Sequence, residues 1–338
     1  MREPNVFSGP YLDRAAHLRQ DPSWLTAALE DERSRVIPVW NSRNLITRNE
    51  MTGGNGAAQD APPAGGSATL GKDELRAAFL PVSEIPAATR DSGDLVLLGR
   101  SGDTHYFTYE MDSVDPPPSP PHTRFEDLRL VASVLPAEEA GLLSYARAIV
   151  SWRRRHRFCG SCGAGTSSAK NGHVLVCTNP ACRHEQFPRI DPAIIVLVSD
   201  GERALLGRQA SWPVGRYSTI AGFVEPGEAL EDAVSREVLE ETGIEVDAIE
   251  YHSSQPWPFP SSLMLGFTAH ALGTKIVLRD QELEDAKWFS RADLASGTPL
   301  VPPSVSISYR LIEHWFNAGG GKPLREVLGD GVSWQAAR

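Results

Sequence analysis

No run of about 18 apolar residues occurs in the chain, so nothing in it is long enough to cross a bilayer as a helix. The opening residues, MREPNVFSGPYLDR, lack the apolar core of a secretion signal. Positive charge is short as well: 33 Lys and Arg stand against 43 Asp and Glu, a formal charge of −10. That balance argues against non-specific attachment to nucleic acid or to an anionic membrane. An enzyme of this charge acting on phosphates needs metal ions or local basic groups to draw substrate in. These absences make the cytoplasm the expected location. No internal repeat is visible, and a length of 338 residues suggests two or three domains.

Cysteine is scarce and confined to one stretch. The four form two close pairs, Cys159-x2-Cys162 and Cys177-x4-Cys182. Such pairs, offered from tight knuckles, suit a tetrahedral Zn²⁺. Disulfides are the competing reading, which a cytosolic chain of this size neither forms nor needs. Four Cys ligands leave the ion no open position, so one Zn²⁺ per chain is expected to be structural. The second pair is wider than the commonest C-x2-C spacing.

The first 150 residues are expected to form a β-rich domain, with short strands at 36–40, 95–98 and 105–109. Residues 49–71 are rich in Gly, Ala and Pro and read as a flexible loop. Ala137 to Trp152 reads as an amphipathic helix ending in the basic run Arg153 to Arg157. The helix dipole accounts for such a run, and contact with RNA phosphates is the alternative. The ribbon and its basic lead-in occupy 151–189. Beyond it, strands are expected at 193–199, 203–207, 218–224, 246–251, 263–271 and 275–278, with a helix at about 304–317. Strands interleaved with helices indicate an α/β layered domain, covering about 190–320, with 321–338 as a tail.

The most informative stretch is GFVEPGEALEDAVSREVLEETGI at 222–244. Ala229 to Thr242 lacks Pro and Gly and carries acids in its first turns, which predicts a helix stopped by Gly243. At 3.6 residues per turn, Leu230, Val234, Glu237 and Glu241 share one stripe. An ordinary surface helix would set its acids opposite its apolar residues. Here two carboxylates continue the inward row and Glu240 flanks them. Clustered carboxylates repel unless cations separate them, and hard oxygens suit Mg²⁺ or Mn²⁺.

This stretch resembles the Nudix box, G-x5-E-x7-R-E-U-x-E-E-x-G-U, at every fixed position: Gly222, Glu228, Arg236, Glu237, Glu240, Glu241 and Gly243. Ten residues on, Ser254-Gln-Pro-Trp-Pro-Phe-Pro-Ser-Ser262 resembles the motif of the NADH pyrophosphatase (NudC-type) subgroup, which also carries a four-cysteine ribbon ahead of its Nudix domain. The resemblance implies an α+β protein: a β-rich N-terminal domain, a zinc ribbon and a C-terminal α/β/α sandwich with a mixed sheet. It implies hydrolysis of NAD(H) to nicotinamide mononucleotide and AMP, removal of NAD caps from RNA 5′ ends, and a homodimer. It assigns Glu237, Glu240, Glu241 and Glu282, with the carbonyl of Ala221, to about two or three Mg²⁺ or Mn²⁺ ions. A glutamate of the helix, Glu241 or Glu240, would be the base. Phe223 would stack on nicotinamide. Gln255, Pro256, Trp257, Pro258, Phe259, Pro260, Ser261 and Ser262 would line the nucleotide pocket. Ser308 stands where relatives have a small apolar residue. Phe187 stands where relatives often place a tyrosine that reaches across the dimer, keeping the ring and losing the hydroxyl. Two alternatives stay open at this point: a Nudix hydrolase of ADP-ribose or diadenosine polyphosphates, and a non-catalytic nucleic-acid-binding zinc-ribbon protein.

Overall fold

The computed structural model describes residues 4–8, 12–48, 75–278 and 282–329. The expected flexible loop at 49–71 lies outside them, as does 330–338 of the expected tail. The chain divides into two compact units, Gly9–Arg189 and Met1–Ser8 with Ile190–Arg338.

In the first unit, α1 (Pro22–Glu30) is capped by Asp21, whose carboxylate accepts the Trp24 N–H. The sheet uses β1 (Arg35–Trp40), β2 (Arg43–Arg48), β3 (Leu75–Ala77), β4 (Leu80–Pro81), β5 (Val96–Ser101), β6 (Thr104–Met111) and β7 (Thr123–Glu126), with α2 (Ala87–Asp91) between β4 and β5. Its order is β3-β2-β1-β6-β5, with β4 on β1 and β7 on β2. After α3 (Leu128–Val131), α4 (Ala137–Arg155) buries Ala140, Leu143, Ala146, Ile149 and Trp152. Each large apolar side chain so buried contributes about 1.5–3 kcal/mol. The ribbon follows as a small antiparallel sheet, β8 (Thr166–Ala169), β9 (Val174–Cys177) and β10 (Glu185–Gln186).

The second unit is built on β11 (Asp191–Ser199), β12 (Arg203–Arg208), β13 (Ile220–Phe223), β14 (Val246–Trp257), β15 (Ser262–Ala271) and β16 (Asp285–Ser290). The order is β14-β15-β11-β12-β16, with β13 also on β11; β11 and β15 run parallel, so the sheet is mixed. Successive residues of a strand face opposite sides. Ile194, Val196 and Val198 therefore pack with Val234 and Val238 of α5 (Leu230–Thr242). Ile195 and Leu197 pack on the other side with Leu294 of α6 (Arg291–Ala295), Leu311 and Trp315 of α7 (Ile307–Ala318) and Leu324 of α8 (Leu324–Leu328). Burial on both faces is why the β11 sequence is a continuous apolar run rather than an alternation.

Two expectations change. Residues 275–278 form no strand: Val277 N–H donates to Thr242 O at 2.8 Å, so this segment satisfies the end of α5 instead of a sheet. The strand at 285–290, which had no strong sequence signal, pairs antiparallel with β12.

Candidate active site

α5 starts where the Asp232 carboxylate reaches back to the Ala229 N–H at 3.4 Å, and ends at Gly243, which adopts φ 71° and donates to Leu239 O at 2.9 Å. Val234, Glu237 and Glu241 are 0%, 9% and 4% exposed, so the buried row does pass from apolar to acidic. Glu240 stands in solvent. Glu237 can turn inward because β13 carries glycine there: a Cβ on Gly222 would overlap the Glu237 carboxylate.

Arg236 ties the preceding loop to the helix. Its Nε and Nη2 donate to the two oxygens of Glu228 at 2.6 and 2.9 Å, and Nη2 donates also to Phe223 O at 2.9 Å. Its Nη1 donates to Glu237 Oε1 at 2.9 Å and Glu240 Oε2 at 3.1 Å. The forked guanidinium fits this bidentate role. Arg236 first, and the Glu225 N–H second, hold the Glu228 carboxyl down at about 2. Glu237 moves the other way. Burial raises its carboxyl above the ordinary range, Arg236 offsets part of this, and Glu240 and Glu282 add repulsion.

Glu237, Glu240 and Glu282 line one cleft of about 480 Å³ together with Ala221, Phe223 and Ser262. A buried carboxylate pressed by two others is stabilised by a cation, and an all-oxygen donor set suits a hard one. The residues therefore fit Mg²⁺ or Mn²⁺. The Phe223 ring is 60% exposed at the rim.

The aromatic–proline segment is the end of β14, a turn and the start of β15 rather than a loop. Prolines are tolerated because β14 is an edge strand. The Trp257 and Phe259 rings meet edge to face at 5.0 Å, and Ser261 Oγ donates to Asp191 Oδ2 at 2.6 Å. Pro256 is half-buried, Pro258 buried and Pro260 exposed. Gln255 and Ser308 are buried, at 0% and 1% exposed. Gln255 Nε2 donates to Val305 O at 2.7 Å, while Ser308 Oγ accepts the Thr219 N–H at 3.2 Å.

In the other unit the four thiols converge within 4.8 Å of one another, a spacing that no carboxylate group among the described residues matches. Cys159 and Cys182 Sγ are 3.8 Å apart, and Cys162 and Cys177 Sγ are 3.4 Å apart. Disulfide sulfurs lie about 2 Å apart. Tetrahedral Zn–S bonds of about 2.3 Å put neighbouring sulfurs at about 3.8 Å. The Ser161 N–H, foremost, draws the Cys159 thiol down to about 6, whereas burial pushes Cys177 up to about 12. A four-thiolate set thus needs a cation at its centre, and these residues fit Zn²⁺.

Phe187 also belongs to this unit and is 53% exposed. Of the basic run, Arg153 pairs with Asp94 at 3.5 Å and Arg154 with Glu110 at 3.2 Å. Both line a larger cleft of about 700 Å³ that contains none of the Nudix-box residues.

Comparison with known proteins agrees with this geometry. The "NUDIX domain" family model matches residues 189–314, the "NADH pyrophosphatase-like rudimentary NUDIX domain" matches 33–152, and the "NADH pyrophosphatase zinc ribbon domain" matches 154–187. The chain is 35% identical to the "NAD-capped RNA hydrolase NUDT12" of Macaca fascicularis over 344 residues, covering 92% of this chain and 73% of the relative. It is 40% identical to the "NAD-capped RNA hydrolase NudC" of Stutzerimonas stutzeri (strain A1501) over 235 residues, covering 68% of this chain and 82% of the relative. The chain is a Nudix hydrolase of the zinc-ribbon, NudC type. In this Nudix cleft, sequence reasoning passed over Met264, which lines the wall beside Ser262. Residues two apart on a strand share a face, so Ser262 itself carried the signal.

Proposed function

We propose that this Nudix hydrolase cleaves the diphosphate of NAD(H) into nicotinamide mononucleotide and AMP, and removes NAD caps from RNA to leave a 5′-monophosphate. The observation that carries the reading is one cleft lined by Glu237, Glu240 and Glu282 beside an exposed aromatic ring, Phe223. Held by these three, Glu241 and the Ala221 carbonyl, Mg²⁺ or Mn²⁺ would neutralise the diphosphate and acidify a bound water. Glu241 or Glu240 orients the attacking water and accepts its proton. The water oxygen bonds to one phosphorus as the bridging P–O bond breaks, and the departing phosphate takes the electron pair. Phe223 stacks on the nicotinamide ring, and the 254–262 segment grips the nucleoside. Arg236 holds Glu237 and Glu240 in place and keeps the Phe223 carbonyl fixed.

A cap carries the same diphosphate as free NAD, and its adenosine continues into RNA through the 3′ oxygen. Cleavage between the phosphates needs only that the adenosine side open to solvent. The acidic balance of the chain implies little affinity for uncapped RNA. The relatives named for NAD-capped RNA support this reading. The test is a gel resolving capped from uncapped transcripts. Cap loss with wild type, at conditions where free NADH is hydrolysed, is expected, and its absence would restrict the enzyme to small dinucleotides. We further propose a homodimer, supported by the exposed Phe187 ring after the ribbon, with light scattering as its test. Unbridged thiols at the zinc site support work in the reducing cytoplasm.

A further inference from the structure

Residues 5–8 belong to the unit that holds the hydrolytic cleft, although the whole of the other unit lies between them in sequence. Phe7 adopts φ 71°, in the left-handed region that a bulky residue avoids, yet its side chain is buried at 5% exposed. Its ring meets Trp257 at 6.1 Å and Phe259 at 5.9 Å, both edge-on, completing a three-ring cluster. An unfavoured backbone conformation held by tertiary contacts is a mark of function.

Asn5 is buried beside it, 7% exposed. Its Nδ2 donates to Ser254 O at 2.8 Å and Ser253 Oγ at 3.1 Å, and its Oδ1 accepts from Arg310 at 3.1 Å. Gln255 Nε2 donates to Val6 O at 3.1 Å, and Gln255 Oε1 accepts the Ile307 N–H at 2.9 Å. Ser253, Ser254, Gln255 and Trp257 lie on β14, the edge of the sheet, where outward carbonyls have no strand partner; Phe259 lies in the turn beyond it, and Ile307 and Arg310 lie on α7.

β14 is one strand from the cleft. Gln255 pairs with Met264 and Trp257 with Ser262, and Met264 and Ser262 line the cleft wall. Ala193 of β11 pairs with Phe223 on one side and Met264 on the other. Phe223 and Met264 thus stand two strand spacings apart, roughly 10 Å, a slot that admits one aromatic ring.

We propose that Asn5 and Phe7 are positioning residues for nucleotide binding, holding the β14–β15 hairpin so that Ser262 and Met264 form the wall opposite Phe223. This rests on the reading of the cleft as a dinucleotide site. The contacts of residues 5–8 do not include the carboxylates of α5. Loosening the wall should therefore weaken binding of ground and transition states alike, which raises KM and spares kcat.

The test uses full-length variants with NADH at saturating Mg²⁺ or Mn²⁺. Phe7→Ala should raise KM about tenfold with kcat within about twofold, and Asn5→Ala should raise KM about threefold. Phe7→Gly relieves the backbone but removes the ring, so it should match Phe7→Ala, while Phe7→Tyr should restore the wild-type KM. KM within about twofold of wild type in both Phe7→Ala and Asn5→Ala would overturn the proposal, as would a parallel fall of kcat and melting temperature with KM unmoved. If the wild type hydrolysed no dinucleotide, the functional reading would fail by itself. The latch would then be judged by amide hydrogen exchange: faster exchange over 253–264 in Phe7→Ala supports it, and unchanged protection overturns it.

Discussion

Glu139 of α4 and Glu237 of α5, one in each unit, are buried to nearly the same degree, 8% and 9% exposed. Each lies on a helix packed against a sheet, and each meets an arginine. Glu139 is satisfied at both oxygens: Arg76 Nε donates to Oε1 at 2.7 Å, and the Ala77 N–H donates to Oε2 at 2.6 Å. Glu237 accepts from Arg236 on Oε1 and has Glu240 and Glu282 as further neighbours, and burial raises its carboxyl. The first unit contains the segment matched as a rudimentary NUDIX domain, and there the buried acid staples β3 to α4. In the Nudix domain proper the acid has one arginine and two further carboxylates as neighbours. Burial alone does not tell the two acids apart, and their neighbours do: an arginine and a backbone N–H at Glu139, an arginine and two further carboxylates at Glu237.

The largest effect that would sharpen this contrast is on turnover. Glu241→Gln keeps shape and removes one charge from the acidic row, so hydrolysis should fall at least about a thousandfold, roughly 4 kcal/mol of transition-state stabilisation. The melting temperature should stay near wild type. Activity within about tenfold of wild type would refute the assignment.

Gly222→Ala should come next. The added Cβ would overlap the Glu237 carboxylate, which must move. Turnover should drop about a hundredfold, near 2.7 kcal/mol, with weaker dependence on the divalent ion. Steady-state kinetics across a metal titration reads both.

Glu139→Ala is the mirror experiment. It leaves Arg76 and the Ala77 N–H unpaired, so a denaturant melt should show about 1–3 kcal/mol lost, while kcat/KM on NADH stays within about twofold. A large catalytic loss here would break the distinction between the two acids.

The smallest effect concerns pH, in chelator. The Glu237 carboxyl lies above its ordinary value of 4.5 in the fold, so its stabilising contribution is present below that value and lost as pH rises past it. Glu237→Gln should therefore melt slightly higher than wild type at about pH 7 and lose that advantage below about pH 4. Glu228 has the opposite sign. Its carboxyl sits at about 2, so Glu228→Gln should melt lower at neutral pH, with the deficit shrinking as pH falls from 4.5 towards 2. Melting curves across this range decide both signs.

Several parts of the molecule were legible because one local rule governs them. α5 follows from its acids, its period and Gly243, and β11 from an apolar run too long to have a wet face. Residues 275–278 misled because an extended apolar segment can also give its backbone N–H to a helix end, as Val277 does to Thr242 O. β16, with the sequence DAKWFS, has a mixed pattern and exists because β12 offers it an edge. Membership of residues 5–8 in the Nudix unit depends on long-range contacts to 253–259 and 310, which no spacing rule encodes. At the site, the glutamates were readable from spacing. The need for glycine at 222 as space for Glu237 is visible only once β13 and α5 are packed together.

The most direct measurement is chromatography of the products formed from NADH and Mg²⁺ or Mn²⁺ by the wild-type protein and by Glu241→Gln, side by side. Reduced nicotinamide mononucleotide and AMP are expected in equal amounts from the wild type, and neither from the variant. Release of nicotinamide with ADP-ribose, or equal turnover by the two proteins, would contradict this reading.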